Sequence, residues 1–261
     1  MTNKIAKKVG MQQLRQRRKK PVKLVPRRMG SRIHAELAAG IGARILDGTY
    51  PPGTLLPNEA EWGQMFGASR TAVREAIKTL NGKGLLVSRP KVGSRVEPRE
   101  RWNLLDRDVM TWHCAAMDKK AFLISLQEVR RILEPGAAVL GATRRTPVQL
   151  AQLQEALEGM RNAASAEDMV APDVRFHLTL LACANNELLA PFGIVIEQAL
   201  ANMFAFTTRH NTKPGQVIPM HAAVVNAIAR QAPEAARQAM TVLLDDTDEV
   251  IVTRASESAA T

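Results

Sequence analysis

Residues 54–96, TLLPNEAEWGQMFGASRTAVREAIKTLNGKGLLVSRPKVGSRV, constrain the chain most. Pro57-Asn58-Glu59 opens a helix that continues through Glu61, Trp62 and Met65 and stops at Gly67. Ser69 is a strong N-cap for the next helix, because its hydroxyl can accept an orphan backbone N–H. That helix is expected over residues 70–81. Val73, Ile77 and Leu80 make its apolar stripe, and Arg70, Arg74 and Lys78 lie on another face. Arg70 and Thr71 fall in the first turn, the part of a recognition helix that meets bases and phosphates. Gly82 and Gly84 stop the helix. Residues 85–87 read as a strand, residues 89–93 as a turn, and Arg95-Val96 as the start of a return strand. A turn tipped by Arg89 and Lys91, with Gly93 closing it, can reach a DNA backbone or minor groove. The competing reading of a lone Arg/Lys face is a solvated helix followed by an ordinary hairpin. The complete order of turn, capped helix, double-glycine stop and basic hairpin favours DNA.

Charge placement supports that division. Of 36 Lys and Arg, eleven lie in residues 1–28, which contain no acid; the rest of the chain carries 25 basic and 25 acidic residues. Such a tail (residues 1–28) reads as disordered. It is either a source of salt-sensitive phosphate contacts or a dispensable extension, with Met29 a possible start. Residues 101–261 hold 15 basic and 18 acidic groups, as suits a part that does not touch DNA. No apolar run approaches 18 residues, the N-terminus lacks a signal-peptide centre, and Cys114 and Cys183 form no disulfide or metal pattern. A reduced, cytoplasmic protein without a membrane span is expected.

The remaining chain reads as helices. One over residues 31–47 would bury Ile33, Leu37, Ile41 and Ile45 and complete a DNA-binding domain of residues 29–98. In the linker, residues 99–118, Trp102, Leu105, Val109 and Trp112 are expected on one helical stripe that packs on the second domain. Residues 119–254 then show six or seven helices with few β-branched runs, and residues 255–261 are expected to fray. A long helix over 119–144 carries Leu123, Leu126, Val129, Leu133, Ala137 and Leu140 on an apolar face, with a kink or break at Pro135. Further helices are expected at 147–163, 172–184, 188–208, 219–230 and 233–254, with a loop at residues 212–215. The fold class is mainly α: an N-terminal winged helix-turn-helix and a C-terminal all-α bundle.

Asp173 and His177 stand four apart, on one side of a helix, a spacing that suits two ligands of one metal; His221 opens another helix. Imidazole and carboxylate together suit a divalent ion, zinc foremost, with manganese, nickel or iron as alternatives. The plainer reading of the pair is a capping carboxylate and a hydrogen-bonded histidine. His113 and His210 show no paired spacing and read as surface or local hydrogen-bonding residues. A metal-dependent hydrolase is the enzymatic alternative, since an open metal position can activate water. No general base at a telling spacing and no nucleophile motif accompanies the three residues.

Residues 50–59 (YPPGTLLPNE), 69–76 (SRTAVREA) and 84–86 (GLL) resemble the signature of GntR-family winged helix-turn-helix regulators. The resemblance implies operator contacts from Arg70, Thr71, Arg74 and the wing tip. Many members carry an Arg after the Pro-x-Glu step, where this chain has Ala60. Residues 130–135 (RRILEP), 173–177 (DVRFH), 184–189 (ANNELL) and 221–228 (HAAVVNAI) resemble the FCD effector domain of the FadR subfamily, a helical bundle with a central acid-sensing pocket. Residues 102–112 (WNLLDRDVMTW) resemble the linker of sugar-acid-responsive members, D-galactonate regulators among them.

Many FCD domains hold a metal with one Asp and three His; Asp173, His177 and His221 match three of those positions, and the fourth falls at Leu243, which cannot ligate. Two expectations follow: the metal is lost and the polar residues bind effector directly, or three protein ligands leave an open position for effector oxygens. The second is preferred, because the carboxylate and 2-hydroxyl of a sugar acid chelate well. Arg130 matches the family's pocket arginine, whose fork fits a carboxylate; a surface ion pair with Glu134 is the alternative. Asn186 is a candidate effector contact or a helix cap. The resemblance thus implies a homodimeric repressor on a near-palindromic operator in double-stranded DNA, released by a small carboxylate such as D-galactonate. A regulator responding to another hydroxy or dicarboxylic acid, or a constitutive DNA binder with a vestigial pocket, remains the alternative.

Overall fold

The computed structural model describes residues 29–207 and 214–257. The basic tail (residues 1–28), His210, Thr212, Lys213 and residues 258–261 lie outside the described residues. Among the described residues are ten α-helices and one two-stranded antiparallel sheet.

The first core forms where α1 (Met29–Leu46), α2 (Glu59–Phe66) and α3 (Arg70–Gly82) meet the hairpin of β1 (Leu86–Arg89) and β2 (Gly93–Val96). Leu37, Ile41 and Ile45 on α1 are buried against Trp62, Val73 and Leu80. Burial of each such aliphatic side chain contributes roughly 1.5–3 kcal/mol. Ile33, expected in the same stripe, is 45% exposed, one turn beyond the edge of this core. Asn58 caps α2 by accepting from the Ala60 and Glu61 backbone N–H groups, while Glu61 accepts from the Asn58 N–H. Gly67 ends α2 at φ 61°, and Ser69 Oγ accepts from the Ala72 N–H to start α3. The hairpin pairs Leu86 with Val96 and Arg89 with Gly93. The segment before α2 joins it as well: the Leu56 N–H donates to the Ser94 carbonyl and the Val96 N–H to the Thr54 carbonyl.

The linker departs from the expected single helical stripe. Residues 99–101 form a 3-10 turn, and α4 (Arg107–Ala116) begins only after Asp106, whose carboxylate accepts from the Asp108 and Val109 N–H groups. Trp102 is therefore off the helix. It is buried in the first core and its Nε1 donates to the Glu97 carbonyl, while Leu105 is 38% exposed. Gly84 (φ 74°) permits this path: a Cβ there would lie 2.2 Å from the Arg101 carbonyl oxygen. Helix α4 packs in two directions. Val109 and Trp112 belong to the first core, and Met110 and Cys114 meet Phe122, Leu126, Val195 and Ala199 of the second domain.

The second domain comprises α5 (Lys119–Arg144), α6 (Pro147–Arg161), α7 (Ala166–Cys183), α8 (Gly193–Thr207), α9 (Pro214–Ala229) and α10 (Pro233–Glu257). These six helices fall within the expected six or seven. Helix α5 continues through Pro135 without a break. Of the expected stripe, Leu123, Leu126 and Ala137 are buried and Val129, Leu133 and Leu140 half-buried; the buried face also takes in Gln127, Arg130 and Glu134. Helix α7 starts six residues before Pro172, because Ser165 caps it by accepting from the Asp168 N–H. Helix α9 starts at Pro214, inside the expected loop, and carries Pro219 internally. The stretch from Glu187 to Phe192 is a 3-10 turn rather than the start of α8, and α10 extends to Glu257, into the segment expected to fray. No helix among the described residues is long and apolar enough to cross a membrane.

Candidate functional site

The helix α3 and the hairpin present one basic surface. Val73, Ala76, Ile77 and Leu80 bury one side of α3, which leaves Arg70, Thr71, Arg74 and Lys78 exposed on the other. Ser69 is exposed at the N-terminus, where its cap bond also fixes the first turn. Arg89, Lys91 and Gly93 are exposed at the hairpin tip, with Lys91 and Gly93 at φ 61° and 103°. A concavity of about 450 Å³ separates α3 from the hairpin, lined among others by Glu59, Arg74, Lys78, Ser88 and Arg89. Its two walls are tied together: Asn81 Nδ2 donates to Ser88 Oγ at 3.1 Å, and Ser88 Oγ lies 2.8 Å from Ser94 Oγ. Lys78 lies 3.6 Å from Glu75, a loose exposed pair.

A second constellation is buried in the helical domain. Asp173 and His177 on α7 converge with His221 on α9, and their ligand atoms all lie within 4.8 Å of one another. All three are buried. The Nδ1 of each imidazole is already engaged. His221 Nδ1 donates to the Val217 carbonyl at 2.9 Å, and His177 Nδ1 donates to Glu134 Oε2 at 2.5 Å. Carbonyl and carboxylate oxygens only accept, so in the neutral rings both protons sit on Nδ1 and both Nε2 atoms hold lone pairs. Those Nε2 atoms point to the same carboxylate: His221 Nε2 is 2.9 Å and His177 Nε2 3.7 Å from Asp173 Oδ1. His221 Nε2 is buried without a hydrogen bond. Two lone pairs facing one carboxylate oxygen repel unless a cation or an added proton lies between them. The residues present therefore fit a divalent metal, with two nitrogens and one oxygen as donors. If the rings instead carry the added proton, the imidazolium charges of His177 and His221, with Arg130, hold the Asp173 carboxyl below its usual range against the rise that burial causes.

Arg130 points inward, whereas Arg131 pairs with Asp245 at 2.6 Å on the outside. The Arg130–Glu134 pair exists, but it is buried rather than on the surface. Arg130 Nε donates to Glu134 Oε1 at 2.6 Å and its Nη1 to Gln127 Oε1 at 3.3 Å. Its Nη2 lies 3.3 Å from both ring nitrogens of His177. Leu243 is buried in the apolar cluster with Phe176, Val224 and Met240. Asn186 is exposed and caps the following 3-10 turn, accepting from the Leu188 N–H. His113 is half-buried rather than on the surface: it packs edge-on against Phe122 with Nδ1 buried and without a hydrogen bond, and burial, then Arg99, pushes its pKa down.

Sequence reasoning named Glu134 only as an ion-pair partner of Arg130. The i, i+3, i+7 spacing of Gln127, Arg130 and Glu134 is the signal that was available: three polar residues on one face of a helix flanked by aliphatics.

A winged helix-turn-helix joined to a helical domain with a buried polar centre defines a DNA-binding transcription regulator with a sensing domain. Residues 33–96 match the family model for bacterial regulatory proteins of the gntR family, and residues 125–246 match the FCD domain. The chain belongs to the GntR family, in its FadR-like, FCD-bearing branch. It is 34% identical over 215 residues to the uncharacterized HTH-type transcriptional regulator YieP of Escherichia coli K12, covering 81% of this chain and 92% of that one. It is 32% identical over 206 residues to the galactonate operon transcriptional repressor of the same strain, covering 78% and 90%. The solved structure of Lar, described as controlling expression of the Listeria monocytogenes agr system, shares the fold with a TM-score of 0.58 at 17% identity, over 84% of this chain and 96% of that one. The family and these relatives are transcription regulators, not enzymes, which removes the hydrolase alternative.

Proposed function

We propose that the protein is a homodimeric repressor that leaves a near-palindromic operator when a small hydroxy acid, D-galactonate or a close relative, binds a divalent metal in its helical domain. Each subunit applies Arg70, Thr71 and Arg74 to base edges in the major groove. Ser69, Lys78, Arg89, Lys91 and Gly93 contact the backbone or the neighbouring minor groove. Asp173, His177 and His221 hold the metal, zinc foremost. A metal held there would supply open coordination positions for a carboxylate oxygen and an adjacent hydroxyl oxygen of the acid. Arg130 offers Nη2 to the same anion, and Asn186 stands as the second candidate contact. The observation that carries the reading is the pair of Nδ1-anchored imidazoles whose Nε2 atoms meet at Asp173. The galactonate repressor relative supports the acid class. Effector binding lowers operator affinity by stabilising the dimer geometry in which the two wings no longer match the half-sites.

The deciding experiment is operator binding by the purified protein, titrated with D-galactonate and a panel of aldonates, uronates and short hydroxy acids, with and without chelator. Release by one acid, blocked by chelator, is the expected result. Leu243 at the fourth ligand position favours a second reading, in which the polar centre binds the acid without metal; release that ignores chelator would establish it. Affinity indifferent to every acid would leave a constitutive DNA binder.

A further inference from the structure

Among the described residues, Glu134 is the one carboxylate of the buried centre outside the candidate ligand set, and its two oxygens do different things. Oε1 accepts from Arg130 Nε at 2.6 Å, and Oε2 accepts from His177 Nδ1 at 2.5 Å. Glu134 is 0% exposed, Arg130 1% and His177 2%. We propose that Glu134 is a positioning residue for the metal: it locks the tautomer and plane of His177, and Arg130, paired with its other oxygen, serves as the buried counter-ion that holds the carboxylate in place. The proposal rests on the metal reading above.

A simple structural ion pair would not need this arrangement. A buried pair is weak support for stability, because desolvation opposes the mutual attraction. Adjacent turns of α5 would bring Arg130 and Glu134 together anywhere along a helix. Here the carboxylate reaches across to α7 and meets the one imidazole atom that must carry the proton if Nε2 is to face Asp173. A carboxylate behind a ligating histidine fixes the ring and makes its free nitrogen a better donor. His221 is fixed in the matching way by the Val217 carbonyl. Both ligating histidines thus have an anchored Nδ1, one neutral and one anionic.

Gln127 completes the support. Its Oε1 accepts from Arg130 Nη1 at 3.3 Å, and its Nε2 donates to the Leu244 carbonyl at 3.2 Å. The chain Leu244–Gln127–Arg130–Glu134–His177 therefore runs from α10 through α5 to α7.

The test uses the full-length protein and Zn²⁺ itself. Affinity is measured by competition with a chromogenic chelator, and Co²⁺ substitution gives an absorption spectrum that reports ligand geometry. The wild type is expected to bind one ion per chain, and Asp173→Ala and His221→Ala to bind none. Glu134→Gln should weaken Zn²⁺ on the order of 10- to 100-fold and change the Co²⁺ spectrum, with Glu134→Asp recovering part of the affinity. The double variant Arg130→Met/Glu134→Leu removes both buried charges together. It should fold, as judged by circular dichroism, and lose a similar share of affinity. Zn²⁺ affinity within twofold of wild type in Glu134→Gln, or in the folded double variant, overturns the positioning role while leaving the metal site standing. A wild type that binds no Zn²⁺ overturns the metal reading and this inference together.

Discussion

Arg74 on α3 and Glu59 at the start of α2 form a two-pronged pair, Nε to Oε1 at 3.1 Å and Nη2 to Oε2 at 2.9 Å. Their side chains are 69% and 42% exposed, so the pair adds little to stability. Its consequence is orientation: the guanidinium expected to read the operator is already held at one angle. Glu59 also places a negative charge beside the DNA-facing surface, and Ala60 leaves the neighbouring position without a base-reading side chain. Arg74→Ala should lower operator affinity on the order of tenfold to a hundredfold and leave binding to random DNA nearly unchanged. Glu59→Ala should separate the two quantities differently: operator affinity falls, and random-DNA affinity rises because a charge that repels phosphate is gone. Fluorescence anisotropy with operator and scrambled duplexes, across a salt series, reads both. Equal affinity of Arg74→Ala and wild type for the operator would refute the recognition-helix assignment.

Lys83 joins the end of α3 to the start of α4. Its Nζ lies 2.6 Å from Asp106 Oδ1 and 2.9 Å from Asp108 Oδ2, with the side chain 12% exposed, and its backbone carbonyl accepts from the Asn103 N–H. Burial alone would lower the Lys83 pKa, but its bonds to Asp106 and Asp108 raise it above 10.5; burial would raise the Asp106 pKa, but Lys83 and the capping N–H groups bring it below 3.8. The carboxylate contribution is present above its ordinary pKa and lost as pH falls through the depressed value. The ammonium contribution is present below its ordinary pKa and lost as pH rises through the elevated value. The clamp is thus intact across the neutral range and opens at both extremes. Lys83→Met should lower unfolding free energy by about 1 kcal/mol near pH 7, and the difference from wild type should shrink below pH 3.8. Urea unfolding at pH 7 and pH 3 measures it. A deficit that is the same at both pH values would show that the contribution comes from the ammonium over the Trp112 ring rather than from the carboxylates.

The reading order of these elements was set by how local their signals are. Asn58, Gly67, Ser69 and Gly84 act on their immediate neighbours, so α2, α3 and the hairpin were legible residue by residue. Asp173 and His177 were legible because four residues make one turn. His221 joined them by resemblance, since no spacing within the chain brings α9 to α7. Two of the departures share one physical reason, tertiary contacts overriding period. Trp102 has the spacing of the linker stripe but belongs to the first core, because Asp106 caps the helix four residues later. The surface pair with Glu134, held as the alternative for Arg130, fails likewise, because α5 turns that face inward toward His177.

Phe176 is fully buried and touches both candidate ligand rings edge-on, with centroids 5.2 Å from His177 and 4.7 Å from His221. It therefore serves packing and ligand alignment together. Phe176→Ala should cost about 3–5 kcal/mol of stability and abolish ordered metal binding. Phe176→Leu keeps most of the volume; it should cost less than about 1.5 kcal/mol while still weakening Zn²⁺, since a branched aliphatic cannot support two perpendicular rings. Guanidinium titrations and chelator competition on the same samples separate the two effects. Unchanged Zn²⁺ affinity in Phe176→Leu would confine the residue to packing.

Leu243 supplies the sharpest test of the proposed three-ligand site. It is 3% exposed, in the cluster with Phe176, Val224 and Met240, at the position where the family resemblance implies a fourth ligand. If the open position receives the effector's oxygens, Leu243→His closes it. Zn²⁺ affinity should then rise, since a fourth donor completes a tetrahedral shell, and the effector should lose its ability to release operator DNA while operator affinity without effector stays as in wild type. If the site is structural, the added ligand should tighten Zn²⁺ with no change in effector response. If the new imidazole fails to reach the ion, it is a buried polar group without a partner and costs about 1–3 kcal/mol, seen as a lower melting temperature with unaltered Zn²⁺ affinity. Three measurements on one variant, chelator competition, thermal unfolding and effector-titrated operator binding, give each of these outcomes a different signature.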